Sequence, residues 1–353
     1  MRLAARQARS VTNMSAAGRL SQVAGQLRGA SSSSSPRYDT LICGGVVVDP
    51  ANDLLEVPMD VAVHGGLIAA IEPPGTIEAA DCDCVYDATG QLVMPGLVDL
   101  HAHGYQFFDC IGIDFDEACL CRCTTTAVDA GSSGAGNFSG FRKFIIDRCK
   151  TRVLALLNIS LIGAGIPPLA DPGQGGSSDD MVPVGGPYQT TAHCSVPHTV
   201  KAIQDNRDVI VGIKIAMSKS TAAAFPGGPE AGEAHFYEAA LEASEAASVP
   251  LMCHHTFSTV PLESCPGRLR KGDIYTHTFH GFDSTLCDSR REDGQWQICD
   301  AAMRARKNGV IFDIGHGMGS FVSALPSISP TVTQLHELHL RRTSLLEREC
   351  VCV

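Results

Sequence analysis

The chain has 353 residues, of which 44% are hydrophobic and 18% are charged, so it can bury a substantial core in one large domain or two modest ones. Its formal charge of −11 argues against a general nucleic-acid-binding protein, and no apolar run approaches the roughly 20 residues of a membrane-spanning helix. The 15 cysteines are odd in number and scattered, unlike the paired framework of a small secreted protein.

The first 37 residues contain six arginines and no acidic residue, and they include the serine run 31–35 followed by Pro36. This composition is typical of an organelle-targeting presequence, of the mitochondrial kind more than the chloroplast kind. A disordered tail is the alternative. We therefore expect residues 1–37 to lie outside the fold and the protein to be mitochondrial, with the cytoplasm as the alternative location.

Residues 38–93 show short strands separated by turns, which predict a small β domain. Gly44 and Gly45 lie between two apolar segments, so they indicate a hairpin between residues 38–43 and 46–49. A second hairpin is predicted from residues 60–63 and 67–71, around the turn at 64–66. We expect this domain to be the N-terminal half of a β-sandwich.

After Met94 the pattern changes to strands that alternate with helices, the clearest helices being residues 230–247 and 297–307. Strands that are apolar on both faces and alternate with helices indicate a parallel sheet covered by helices. Seven such units within residues 94–321 predict a TIM-type (β/α) barrel, with a doubly wound α/β sheet as the rival. The predicted strands are 97–100, 124–128, 153–159, 209–215, 249–253, 273–276 and 309–312.

A long connection, residues 167–191, is rich in Gly, Pro, Ser and Asp. Connections of this length without secondary structure are commonly active-site loops or lids, so we expect a functional loop here.

Residues that can bind a metal follow the predicted strands at the ends where a barrel enzyme has its active site. His101 and His103 are two residues apart, so in an extended strand their side chains point to the same side. A single histidine at a strand end is more often hydrogen-bonded within a core than bound to a metal, but five strand ends carry such residues. The further members are Lys214, His254, His255, His277, His280, Asp313 and His316.

Lys214 is unusual because it lies inside the apolar strand VIVGIKIA, where an ammonium group is costly unless it is paired or neutralised. Two divalent metals need a bridging anion, and a lysine carbamylated by CO2 would supply a carboxylate. A buried ion pair with an aspartate is the alternative interpretation.

Several segments resemble the amidohydrolase superfamily, and most closely its branch of binuclear metal deacetylases, which also contains dihydroorotase-like proteins. The resemblance covers residues 38–321, and the stretch 125–146 is more specific than the HxH pair. The segments are PGLVDLHAH, GIKIAMS, VPLMCHH, GDIYTHTFHG and GVIFDIGHGMGSF.

The resemblance implies a binuclear site. His101 and His103 would bind one metal, His254 and His277 the second, and Lys214, as a CO2-derived carbamate, would bridge them. His254 is preferred to His255 because the family's strand ends in one histidine directly after the preceding apolar triplet. Two zinc ions are expected, since histidine-rich sites suit zinc, and no other cofactor is implied.

The implied activity is metal-dependent hydrolysis of an amide or ester bond, with removal of an acetyl group from an N-acyl or O-acyl small acid. A cyclic-amide hydrolase of the dihydroorotase or hydantoinase type is the alternative enzyme. The expected partners are a small acylated substrate and, as one option, a second copy of the chain.

The family takes its general base from an aspartate at the end of strand eight, and only seven strands are predicted here. The similarity stops at Phe321, and residues 322–353 form a divergent C-terminal tail without aspartate. We therefore expect a barrel without its last βα unit, no returning strand in the small β domain, and an enzyme that is essentially inactive without this aspartate. A truncated, non-catalytic relic is the alternative. The catalytic base is not identified, and Asp313 is only a fallback for it.

Overall fold

The computed structural model describes residues 38–108, 111–165, 169–170, 181–182, 186–280, 284–290, 296–315 and 350–352. These residues fall into two compact units, one formed by residues 38–97 with 350–352 and the other by residues 98–315. The predictions for residues 1–37 and His316, and most of those for the 167–191 loop and the tail, lie outside the described residues.

The first unit is one six-stranded mixed sheet. Its core contains Ile42, Val47, Val61, Ala88 and Val93. The strands are β1 (Tyr38–Asp49), β2 (Leu54–His64), β3 (Leu67–Glu72), β4 (Cys82–Asp87), β5 (Leu92–Met94) and β17 (Cys350–Cys352). The predicted hairpin at residues 64–66 is confirmed, because β2 and β3 pair antiparallel across that turn.

The predicted hairpin at Gly44–Gly45 is wrong, since β1 runs straight through both glycines. The pairing of β1 with β2 shifts between Ile42 and Gly45, so the extra residues form a bulge instead of a turn. Gly44 has φ +73°, and its N–H donates to Asp60 Oδ1 at 3.0 Å. A buried carboxylate on β2 thus satisfies the backbone that the bulge leaves unpaired.

The C-terminal tail also differs from expectation, because β17 pairs parallel with β5. A short returning strand therefore joins the small sheet, where none was predicted.

The second unit contains a seven-stranded parallel sheet. Its strands are β6 (Leu97–Ala102), β7 (Thr124–Asp129), β8 (Arg152–Asn158), β11 (Ile210–Met217), β12 (Leu251–His255), β13 (Ile274–Thr276) and β16 (Ile311–Phe312). They neighbour one another strictly in chain order. A doubly wound sheet reverses its order at a switch point, so the sequential order identifies an incomplete TIM-type barrel and excludes the rival fold for the described residues.

Helices lie between these strands. They are α1 (Phe115–Ala118), α2 (Phe138–Phe144), α3 (Val196–Asp205), α4 (Gly228–Ala246) and α5 (Asp300–Lys307), with 3-10 turns at Pro50–Asn52, Ala79–Asp81, Leu120–Arg122, Ile146–Arg148 and Thr191–His193. The helix predicted for 297–307 begins only at Asp300, because Gln297 belongs to a short strand. Two antiparallel pairs complete the unit, β9 (Leu169–Ala170) with β10 (Met181–Val182) and β14 (Cys287–Arg290) with β15 (Trp296–Ile298).

The barrel strands are apolar on both faces, so the alternation of side chains along each strand determines which of them point to the inside of the barrel. Tyr275 packs in the large outer core together with the helices, while Met252 and Ile274 pack in a smaller inner core. Because side chains alternate along a strand, the strand residues two positions after Met252 and Ile274 also point inward. These are His254 and Thr276.

In the described part of the chain, no helix has both the length and the apolar character to cross a membrane.

Candidate metal centre

All five predicted metal ligands come together at the carboxyl ends of the barrel strands. The ring centroid of His277 lies 4.6 Å from that of His101 and 4.6 Å from that of His254. The His101 and His103 centroids are 5.6 Å apart. Lys214 Nζ lies 3.3 Å from His101 Nε2, so the lysine is placed among the histidines.

Lys214 is only 2% exposed, and its Nζ donates to the backbone oxygen of Ala130 at 3.2 Å. Burial lowers its pKa to about 8, against the opposing influence of the Asp129 and Asp313 carboxylates. Gly131 makes room for this side chain. With φ +95°, it lies where a Cβ atom would be 2.7 Å from Lys214 Cβ and Cγ.

Burial also lowers the pKa of His101, His103 and His254 well below the usual value, and the Lys214 charge contributes. It lowers the pKa of His277 to about 4 in the same way. These imidazoles are therefore neutral near pH 7, which is the protonation state that binds a metal ion.

The hydrogen bonds fix the tautomer of His101. Thr276 Oγ1 donates its proton to Asp313 Oδ2 at 2.7 Å, because a carboxylate can only accept. The same Thr276 oxygen lies 2.7 Å from His101 Nδ1, so it must accept the Nδ1 proton. The lone pair of His101 is consequently on Nε2, the atom that faces Lys214.

His277 is held in the same way, since its Nδ1 donates to the carbonyl oxygen of Gly315. Its lone pair is then also on Nε2. A histidine that binds a metal through one nitrogen usually donates its other N–H to an oxygen of the protein. His101 and His277 both fit this arrangement.

The side chain of His255 is hydrogen-bonded within the core and does not join the candidate metal ligands. It is fully buried, its Nε2 donates to Val260 O at 2.8 Å, and its Nδ1 lies 3.2 Å from Tyr275 OH. Both ring nitrogens are thus used within the core, as expected for the residue that follows the inward-pointing His254. This geometry supports the preference for His254.

Asp129 and Ser132 were missed by the sequence reasoning, although they support the site. Asp129 Oδ1 accepts from the N–H groups of Gly131 and Ser132, and its Oδ2 accepts from Gly104 N. Ser132 Oγ in turn lies 3.0 Å from His103 Nδ1. The DAGSSG sequence after an apolar strand, a carboxylate followed by a tight glycine turn, was the available signal.

Asp313, the fallback for the catalytic base, lies beside the histidines, with Oδ2 3.7 Å from His101 Nδ1. Gly315 packs closely here, because a Cβ atom at this position would be 2.3 Å from Thr276 Oγ1. His280 is buried, and burial together with the nearby His255 lowers its pKa to about 4.

The donor types fit a divalent metal, but the side chains do not surround a common point. Among the described residues, no three His, Cys, Asp or Glu side chains are arranged to hold one ion. Protein hydrogen bonds explain part of this arrangement, since His254 Nε2 contacts Thr256 Oγ1 and His103 Nδ1 contacts Ser132.

Comparison with known proteins finds relatives of this chain in sequence and in fold. No family model matches the chain. A deacetylase of Enterococcus faecalis is 28% identical over 80% of this chain and 67% of its own length. A deacetylase of Agrobacterium fabrum is 29% identical over 74% of this chain and 58% of its own length.

Two crystal structures share the fold. An adenine deaminase has a TM-score of 0.66 and 27% identity, covering 84% of this chain and 70% of its own. A dihydroorotase has a TM-score of 0.65 and 25% identity, covering 80% of this chain and 66% of its own. The chain belongs to the amidohydrolase superfamily.

The resemblance noted in the sequence is thereby confirmed at the level of the superfamily. This amidohydrolase chain spans about 60% to 70% of the lengths of these proteins.

Proposed function

We propose that this amidohydrolase chain is a metal-dependent hydrolase that removes an acetyl group from an N-acyl or O-acyl small acid. The observation that carries the proposal is the meeting of Lys214 with His101, His254 and His277 at the carboxyl ends of the strands. The names of the two bacterial relatives support the choice of deacetylation.

His101 and His103 would hold one metal, His254 and His277 the other, and Lys214 would supply a carbamate between them. Bound zinc would polarise the substrate carbonyl and lower the pKa of a water molecule. Thr276 and Gly315 keep the protons of His101 and His277 on Nδ1. Both rings therefore present Nε2 to a cation without tautomer exchange.

Lys214 is suited to carbamylation because burial lowers its pKa to about 8, which leaves part of the amine neutral near neutral pH. The neutral amine attacks CO2, a C–N bond forms, and one proton is released to water. The product would be an anion, which neutral histidines and bound cations would accommodate, whereas the cations would repel an ammonium.

Asp313 is the described carboxylate best placed to accept a proton from the substrate side. The Asp129 carboxylate is fully buried and holds three backbone N–H groups. The Asp313 side chain is 17% exposed and lies next to His101. We retain it as the candidate base.

Ring opening of a cyclic amide is the second candidate, favoured by the dihydroorotase structure with a TM-score of 0.65. Purified chain refolded with zinc and bicarbonate should be assayed for metal content, for acetate release from N-acetyl and O-acetyl acids, and for ring opening of dihydroorotate and hydantoins. His254→Asn should abolish activity and His255→Asn should retain metal.

Three outcomes separate the alternatives. Acetate release supports deacetylation, and ring opening without acetate release supports the second candidate. Full metal content without turnover of either class would leave the non-catalytic alternative. Less than about 0.2 metal per chain would contradict a metal centre altogether, since such sites require near-stoichiometric occupancy.

A further inference from the structure

Lys219 differs from the other lysines of the chain. Of the seven lysines, five are exposed, Lys214 is buried in the histidine group, and Lys219 alone is half-buried. It lies two residues after the end of β11, so it belongs to the same rim of the barrel as the histidines. A half-buried ammonium at an active-site rim has lost part of its hydration and needs a partner.

The partner in the structure is an aromatic ring. Lys219 Nζ lies 4.5 Å from the ring centroid of Phe257, a cation–π contact. Among the described residues, no carboxylate forms an ion pair with Lys219, although the chain contains 38 acidic residues. The ring holds the ammonium in place without neutralising its charge.

Backbone pairing places Lys219 and Phe257 directly beyond the strand ends that carry the candidate metal ligands. Ala216 pairs with His254 and Met217 with His255, and the Lys219 N–H then donates to Phe257 O at 3.0 Å. The pairing of β11 with β12 thus continues into both loops. Phe257 lies three residues beyond His254 and two beyond the end of β12, and a lysine side chain is long and flexible enough to reach from this position toward the histidines.

Phe257 has an unusual conformation for a bulky residue. Its φ is +54°, in the left-handed region, and its side chain is 42% exposed. Such backbone persists only when the surroundings hold it, and it concentrates at ligand-binding sites. Here the Phe257 carbonyl accepts from the Lys219 N–H, and two residues further on the buried carboxylate of Glu233 in α4 accepts from both the N–H and the hydroxyl of Thr259.

We propose that Lys219, held by the ring of Phe257, binds the carboxylate of the acylated acid and makes this hydrolase select anionic substrates. The inference rests on the proposed function and adds the group that determines its specificity. The acyl carbonyl would lie among the histidines and the carboxylate at Lys219. Neutral acylated molecules would lack the second contact.

The test measures binding and hydrolysis with matched probes. N-acetylglycine, N-acetylleucine and N-acetylphenylalanine are each compared with their neutral carboxamides, by calorimetry on zinc-loaded chain. The variants are Lys219→Met, Lys219→Arg and, as a control on an exposed lysine, Lys271→Met. A hydrogen bond to a charged group predicts that Lys219→Met weakens binding of the acids by about 10- to 100-fold.

Binding of the carboxamides should be unchanged in Lys219→Met, and Lys219→Arg should retain most of the affinity for the acids. Phe257→Leu should weaken binding of the acids less than Lys219→Met does. If acids and carboxamides bind the unaltered chain equally, or if no acid binds, the anchoring role of Lys219 is refuted.

Hydrolysis separates this inference from the function itself. Charge-dependent binding without acetate release would support the anchor and contradict the hydrolase. Equal hydrolysis of acids and carboxamides, unaffected by Lys219→Met, would support the hydrolase and refute the anchor.

Discussion

Replacing Lys214 with methionine should stabilise the metal-free protein while preventing assembly of the metal centre. Lys214 is 2% exposed, and burial lowers its pKa from 10.5 to about 8. At about 1.36 kcal/mol per pKa unit, a buried ammonium at pH 7 costs about 3 kcal/mol of folding free energy. Methionine has similar length and no charge, so Lys214→Met removes this cost and loses the hydrogen bonds of Nζ to Ala130 O and to His101 Nε2.

The sign of the pH dependence follows from the lowered pKa. Between pH 8 and 10.5 the unfolded chain binds more protons at Lys214 than the folded chain. The contribution of Lys214 to the free energy of unfolding therefore rises between pH 8 and 10.5, and it is lowest below pH 8. The advantage of Lys214→Met should be about 2 to 3 kcal/mol at pH 7 and should disappear near pH 10.5.

Urea unfolding followed by circular dichroism measures this difference, in buffer free of metal and CO2 so that no carbamate forms. Comparing the two proteins at each pH cancels the titration of other groups. Zinc content after addition of bicarbonate gives the second readout, and it should fall by at least one ion in the variant. A stability difference that stays constant from pH 7 to 10.5 would refute the burial of an uncompensated amine at this position.

Three further predictions follow from the site and the N-terminal segment. Gly131→Ala should destabilise the protein by about 1 to 3 kcal/mol in urea unfolding, because the new methyl group would overlap Lys214. The control is Gly66→Ala, where φ is +74° and the surroundings are open, so it measures the cost of the backbone conformation alone. His255→Asn should retain zinc but lower the unfolding free energy by about 1 to 3 kcal/mol, since Val260 and Tyr275 lose their partner, and loss of zinc would reassign the ligand. Residues 1–37 fused to a fluorescent protein should direct it to mitochondria, because the segment carries arginine without acid, and a diffuse cytosolic signal would refute the presequence.

The sequence predicts the barrel well because its signal is local. Apolar runs such as 153–159 and 209–215 match strands β8 and β11 to within two residues, since burial on both faces requires apolar side chains at every position. The two glycines of β1 misled the prediction because a bulge and a turn use the same residue types.

The candidate ligands could be proposed from the ends of the predicted strands, but the groups that contact their side chains could not. Thr276 and Ser132 are ordinary residues in sequence, and their roles depend on contacts with His101 and His103 that the fold creates. The choice of His254 over His255 depends on the alternation of side chains along the strand, and the core contacts of His255 support it.

The long sequence separations within the candidate metal centre have a consequence for the order of folding. Lys214 and His101 are 113 residues apart, and Thr276 and His101 are 175 residues apart. Closing the longer loop costs only about 0.4 kcal/mol more than closing the shorter one, because loop entropy grows with the logarithm of length. Neither contact forms until β6, β11 and β13 occupy one sheet, so a metal bound at the candidate centre would not nucleate the fold as it does in a zinc finger. Zinc uptake should therefore lag behind sheet formation during refolding. A bound ion would then stabilise a barrel that has already assembled.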